Sequence, residues 1–255
     1  VNAAHRPVAR TLVARLVEEG GQVRAVARAG VAALRAAGVF TAVGDPDDEG
    51  LIEAACTGVH TVVHLAGGLG GDPAAVLAEG RAVAAAAEAA GVRRVLLVVL
   101  AGAGDGAADA LRRAHAEVAA GVAAADVPSV EVRVGLVPTP AATGAIRAAG
   151  VPVELRGTDV APVPVADLVE VLVALDAARS RATDGHLVLR ADGPEVPLED
   201  VLAAGDPTTG RRGARLPSEA ARSALLATLG GPWRDADPDL PSAWDLLGLP
   251  APVAP

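Results

Sequence analysis

Five histidines, one cysteine and a scatter of carboxylates are the side chains of this 255-residue chain that could move a proton, attack a carbon or hold a metal. His5, His60, His64, His115 and His186 are spread out with no pair at ligand spacing, and Cys56 has no second thiol to work with, so no metal site is expected. Cys56 stands in a helical stretch and reads as a small core residue. His115 is the imidazole with a case as a base near pH 7. Flanked by Arg112, Arg113 and Glu117 on an amphipathic stretch, it reads more readily as a surface histidine. His64 falls inside an apolar run and reads as strand packing. Asp105 is a second candidate for a substituted acid or base. Tyr, Lys and Met are absent from the sequence, so a proton relay through a phenol or an amine is closed to this chain.

The whole chain excludes several classes of partner. Hydrophobic residues make up 51% of it, yet the excess is Ala and Val broken regularly by Arg, Asp and Glu. No run approaches the ~20 apolar residues that a membrane span needs, and no basic-then-apolar amino end suggests secretion. The net charge of -9 and the scattered arginines disfavour nucleic acid and anionic membrane as partners, which leaves a small-molecule ligand. A lone cysteine fits the reducing cytoplasm. Val at position 1 reads either as an alternative start codon or as a first strand cut short.

The elements that must position any chemistry are legible as an α/β pattern. Val92 to Ala103 and Thr61 to Gly68 are apolar, β-branched runs closed by small residues, the pattern of strands buried on both faces of a parallel sheet. The Ala-rich segment Asp72 to Gly91 between them reads as the crossover helix, and the ligand cleft is expected at the carboxyl ends of the strands. Before them come the end of a strand and its turn (Val1 to Pro7), a helix (Val8 to Gly20), a strand (Gln22 to Arg28), a short helix (Val31 to Gly38) and a strand (Val39 to Gly44). An acidic turn, Asp45 to Gly50, then caps a helix from Leu51 to Thr57. After them, helices are predicted over Ala107 to Ala125, Ala141 to Ala149, Ala166 to Arg179 and Leu198 to Ala204. Strands are predicted over Ser129 to Val137 and His186 to Arg190, with an irregular stretch from Val151 to Val165 that holds short strands between prolines. Alternation up to Arg190 predicts a Rossmann-like, doubly wound parallel sheet. Residues 1–204 form the predicted domain, and 205–255 a small C-terminal elaboration packed on it. That tail holds one helical piece, Ser218 to Leu229, and both tryptophans, Trp233 and Trp244, which are expected to anchor it by burial.

Seven segments in order, VRAVAR, VGDPDD, GVHTVVHLAGG, AGVRRVLLVV, VPSVEVRVGLV, VAPVPVADLVEVL and GHLVLRADGPEVPLEDV, resemble the short-chain dehydrogenase/reductase superfamily. The likeness is to its extended and atypical branch of NAD(P)-dependent epimerases and NmrA-like proteins, and it covers Val1 to Ala204. The resemblance implies a Gly-x-x-Gly-x-x-Gly turn under the cofactor's pyrophosphate; the matching positions here are Ala3, Arg6 and Ala9. Three roles stay open for Arg6: filling the phosphate site, pairing with the phosphate, or standing in solvent beside Pro7. Arg28 matches the arginine that contacts the 2'-phosphate of NADP, Asp45 an aspartate near the adenine, and Ala66-Gly67 the small pair beside the ribose. The same positions also read as a surface arginine, a helix-capping aspartate and close packing.

On the catalytic side the resemblance implies a Tyr-x-x-x-Lys pair and a Ser or Thr at the end of the preceding strand. Those positions fall on Leu111 and His115, and on Val99 or Leu100. Asp167 matches an aspartate before a helix, for which N-capping is sufficient. Two functions follow. The first is a degenerate member that keeps the scaffold, binds NADP weakly with NAD as the lesser candidate, and acts as a nucleotide-binding or regulatory protein, a pseudoenzyme with no catalytic residues. The second is an active oxidoreductase or sugar-nucleotide epimerase whose acid/base is His115 or Asp105. The resemblance also allows a homodimer through the helix that carries His115.

Overall fold

The strand that the rest is built around is β4 (Arg94–Leu100), buried at all seven positions. Val and Leu on both of its faces leave no side to present to water, which is the condition for a central parallel strand. It pairs in parallel with β3 (Thr61–Leu65), Val62 opposite Val95, and with β5 (Ser129–Val134), Val132 opposite Val98; β7 (His186–Ala191) continues the row beyond β5. These coordinates are a computed structural model that describes residues 1–253 except 3, 5, 30, 66, 70, 105, 108, 152–154, 156, 179–184, 205–224 and 230–238.

A second parallel pair, β1 (Arg24–Ala27) and β2 (Phe40–Val43), joins this sheet through the first residues of the chain. The Val26 amide donates to the Val1 carbonyl at 3.0 Å and the Ala4 amide to the Val26 carbonyl at 3.1 Å, while the Asn2 amide donates to Val63 at 3.2 Å. Hydrogen-bonded on both sides, this segment lies where the sequence predicts the end of a first strand. It turns two sheets into one row, β2, β1, the chain start, β3, β4, β5 and β7. This is the Rossmann-like arrangement.

Helices cover both faces. On one, α3 (Glu49–Cys56), α4 (Pro73–Ala89) and α5 (Ala110–Ala124) set Ile52, Val83 and Val118 against Val62, Val95, Leu97 and Val99. On the other, α1 (Pro7–Glu18), α7 (Val165–Ala177) and α9 (Ala243–Leu247) set Leu12, Leu172 and Trp244 against Val63, Leu96, Val98 and Val132. Consecutive strand residues feed opposite clusters, as the two-residue period requires. A short α2 (Ala32–Ala36) links β1 to β2, and α6 (Pro140–Ala149) follows β5. Caps begin the helices where the sequence places acidic or hydroxyl residues: Asp48, Asp72, Asp109 and Thr139 each accept from a first-turn amide.

Several expectations are corrected. Asp167 does not cap: α7 begins at Val165 with Pro164 at the cap, so Asp167 sits inside the first turn, where its charge still favours the amide end. The stretch from Val151 to Val165 holds one of its expected short strands, β6 (Asp159–Val160), but pairs it antiparallel with an unexpected β8 (Val196–Pro197) just before α8 (Leu198–Ala204). Of the tail, residues 225–229 are helical and Trp244 is 4% exposed, its indole donating to the Asp192 carbonyl at 3.0 Å. Trp233 lies outside the described residues.

Helices α4 and α5 meet at Gly80, where a Cβ would come 2.3 Å from Val118 Cγ2. The Gly80→Ala variant is therefore expected to lose about 1–3 kcal/mol of stability, since an added methyl must push two packed helices apart. Thermal unfolding checks this, and a midpoint equal to that of the parent protein would show that the helices do not approach so closely.

Candidate nucleotide-binding cleft

A cavity of about 350 Å³ opens at the carboxyl ends of β3, β4 and β5, bounded by the head of α1 and by α6. Its wall includes Arg6, Gly67, Val99, Leu100, His115 and Thr139. A larger cavity of about 570 Å³ lies at the opposite ends of the strands, beside Val1, Arg24 and Cys56. In a doubly wound sheet the ligand sits at the carboxyl ends, so the smaller cavity is the relevant one.

The head of α1 is built to receive an anion. Arg6 occupies its cap position in an extended conformation (φ -83°, ψ 151°), Pro7 opens the first turn, and no side chain caps it. First-turn amides left without a cap favour a negative group. Arg6 lines the cavity, with its guanidinium 4.0 Å from the place a Cβ on Gly67 would take. The same Cβ would lie 2.3 Å from Val76, so only glycine leaves this wall open. Ala9 is fully buried among Leu12, Val63 and Leu96, so the methyl group that replaces a glycine hydrogen is absorbed by packing. Ala3, Ala66, Asp105 and His5 lie outside the described residues.

A cluster of charged side chains stands outside the cavity wall, past the end of β1. Arg28, just past β1, reaches Asp45 at 2.7 Å and Glu79 at 3.4 Å. The resemblance assigns Arg28 and Asp45 to different parts of a nucleotide, whereas the structure pairs them with each other. Both are about half exposed, and an ion pair this wet contributes little to stability. A hydrogen bond from Asp47, then the charge of Arg28, lowers the Asp45 pKa; the same hydrogen bond raises that of Asp47. Glu79 is the residue that sequence reading missed. It belongs to the buried stripe of α4 with Val76, Val83 and Ala86, and an acid on an apolar stripe is the signal that could have found it. Burial raises its pKa, while Arg6 and Arg28 pull it back down.

The expectation that His115 is a surface histidine is wrong. It is 1% exposed and faces the cavity, because its neighbour Arg112 is itself buried and draws α5 inward. The Arg112 guanidinium donates to the Ala101 carbonyl at 2.7 Å, to Asp109 at 2.6 Å and to the Thr228 carbonyl at 2.9 Å. No hydrogen bond of normal geometry reaches either ring nitrogen of His115. Burial pushes its pKa down to about 4, against the opposing pull of the Gly67 backbone and Asp109. His64, fully buried within β3 as the sequence predicts, has Nδ1 2.6 Å from the Asn2 side-chain amide. Nδ1 therefore accepts and Nε2 carries the proton, with no partner of its own. Burial, then His115 and Arg6, push His64 down to about 3.

Of the positions that match the family's catalytic set, Val99 and His115 line the cavity, while Leu111 is packed between α4 and α5. Among the described lining residues, His115 is the only one whose type exchanges a proton near neutrality. No group of three metal-ligating side chains occurs among the described residues. An uncapped helix head, a glycine wall and two arginines along one line fit a phosphate-bearing nucleotide laid across the strand ends.

A model of the NAD(P)H-binding family matches residues 3–175. The chain belongs to that family. Among solved structures, the NAD(P)H-binding chain is similar in fold to the triphenylmethane reductase of Citrobacter sp. complexed with NADP(H), at 14% identity and a TM-score of 0.72 over 98% of this chain and 95% of that one. It is also similar to MoeE5 in complex with UDP-glucose and NAD (18% identity, TM-score 0.69, 99% and 93% covered). A third is a nucleoside-diphosphate-sugar epimerase from Staphylococcus aureus (12% identity, TM-score 0.71, 96% and 98% covered). No curated protein sequence matches it. Identities this low speak for the fold of this member of the NAD(P)H-binding family and for nothing finer.

The two buried imidazoles make stability depend on pH. Both have folded values below the ordinary imidazole value of 6.5, so below that pH the unfolded chain takes up protons that the folded one refuses. Their contribution is complete above pH 6.5 and is lost as pH falls towards about 4 for His115 and about 3 for His64. Linkage puts the loss at about 2 kcal/mol per imidazole at pH 5. Urea unfolding at pH 7.5 and pH 5 reads it directly, and His115→Gln removes about half of the difference. Equal stability at the two pH values would show both rings to be solvated.

Proposed function

We propose that the protein binds NADP(H) along the carboxyl ends of the sheet and serves as a nucleotide-binding or regulatory protein rather than as a Tyr/Lys-type dehydrogenase. The observation that carries this reading is the asymmetry of the cleft. Arg6 lines its wall at the head of α1 and Arg28 stands just past the end of β1, while on the catalytic side Val99 lines the wall and Leu111 is turned into the core.

Arg6 and the amides at the head of α1 would hold the pyrophosphate, through charge and the helix dipole together. Arg28 would hold the 2'-phosphate; no carboxylate ends β1, where a free ribose diol would need one. A bound nicotinamide supplies a hydride. The chain offers no phenol and no ammonium group to move the accompanying proton. The buried Cys56 suits a reducing compartment such as the cytoplasm.

One observation favours a second reading, an oxidoreductase or sugar-nucleotide epimerase with a substituted base. His115 stands in the cavity wall instead of on the surface, neutral at pH 7, its two ring nitrogens buried without a hydrogen bond of normal geometry. A neutral imidazole in that place can take a proton from a substrate hydroxyl.

Calorimetric titration with NADPH, NADP and NADH tests the first reading. NADPH is expected to bind at least tenfold more tightly than NADH, with Arg28→Ala erasing the difference; no binding at millimolar nucleotide removes the proposal. Under the same reading NADPH is not consumed when quinones or sugar nucleotides are supplied. Turnover that is present in the parent protein and lost in His115→Ala would establish the second reading instead.

A further inference from the structure

Glu79 has no part in the nucleotide reading above, yet it is the buried one of the two carboxylates that reach Arg28. Its side chain is 7% exposed, whereas Asp45, the other carboxylate on Arg28, is 56% exposed. Arg28 Nη2 lies 3.4 Å from Glu79 Oε1, and Arg6 acts on the same carboxylate from the head of α1. A carboxylate is planar, anionic and an acceptor only, so it satisfies guanidinium groups in the way that a phosphate oxygen pair does. The position is also expensive to leave unoccupied, because two arginines facing one cleft repel each other unless an anion stands between them.

We propose that Glu79 is an internal stand-in for the nucleotide's phosphates, a specificity-determining residue that occupies the two arginines until a phosphate-bearing ligand displaces it. This rests on the reading that NADP(H) enters this cleft, and it deepens that reading by naming what opposes entry. Two guanidinium groups face three carboxylates here, Glu79, Asp45 and Asp47. A phosphate added to that set meets Glu79 as a like charge in a place where water screens poorly. Asp45 and Asp47 are exposed and can swing into solvent, but Glu79 is fixed by the packing of α4. It therefore weakens ligands in proportion to the phosphate charge placed near Arg28, NADPH more than NADH. A chain with both arginines in place still binds NADP(H) only weakly, and removing one negative charge restores the affinity.

The opposite role for Glu79 would be to hold a ribose diol, standing in for the acid missing at the end of β1. The two roles predict opposite signs. Titration of the parent protein and Glu79→Gln with NADPH, NADH and adenosine 2',5'-bisphosphate separates them, with circular dichroism to confirm that the near-isosteric variant is folded. If Glu79 stands in for phosphate, Glu79→Gln binds NADPH and the bisphosphate at least tenfold more tightly and NADH by a smaller factor. Unchanged or weakened binding in Glu79→Gln overturns it while leaving the NADP(H) reading intact. Binding by neither protein overturns both. Should the variant fold poorly, Glu79→Met on the same ligands gives the same sign without the amide.

Discussion

The burial of one guanidinium decides the geometry of the cleft. Arg112 is fully enclosed, and a charge removed from water persists only where its donors are met by fixed acceptors. Ala101 at the end of β4, Asp109 at the cap of α5 and Thr228 far along the chain provide them. Asp109 works twice, because its carboxylate also accepts from the Leu111 and Arg112 amides and so starts the helix it anchors. The Thr228 hydroxyl donates to the same carboxylate. Losing one partner of such a set typically costs ~3–5 kcal/mol. With α5 held against the strand end, His115, nearly one turn further on, has nowhere to go but the cavity wall.

That wall is apolar where a short-chain dehydrogenase would be polar, and charged where it would have glycine. The two departures have one consequence. Arg6, at the position of the middle glycine, puts a cation at the head of α1, and Glu79 on the buried stripe of α4 lies within reach of Arg28. On the opposite side, Val99 and Leu111 stand where a hydroxyl and a phenol would be expected. Cofactor contact and proton transfer are separable properties of this scaffold. The scaffold itself depends on backbone pairing along the strands, which none of these changes disturbs.

The sheet was readable because its signals are local. A run such as Val92 to Ala103 carries its own burial, and Asp48, Asp72 and Asp109 announce the helices they cap. Arg28 and Asp45 were readable as members of one site, though not as partners. The misses share a cause. Arg112 is buried by an acceptor 116 residues away, and His115 is buried as a result, so no window of sequence around either shows it. Glu79 left a local trace, an acid on an apolar stripe, but its meaning depends on Arg6 and Arg28 arriving from other elements. β8 is two residues long, too short to show a period, and its pairing with the expected short strand β6 spans a long interval. Asp167 was misplaced by three positions because Pro164 ends the preceding segment and takes the cap.

A crystal structure of the protein grown with NADPH is the most direct measurement. The account predicts the pyrophosphate at the head of α1 beside Arg6, the 2'-phosphate on Arg28, and the Glu79 carboxylate turned away from both arginines. Nucleotide bound at the amino ends of the strands, or a cleft in which Arg28 and Glu79 remain paired while NADPH lies elsewhere, would contradict it.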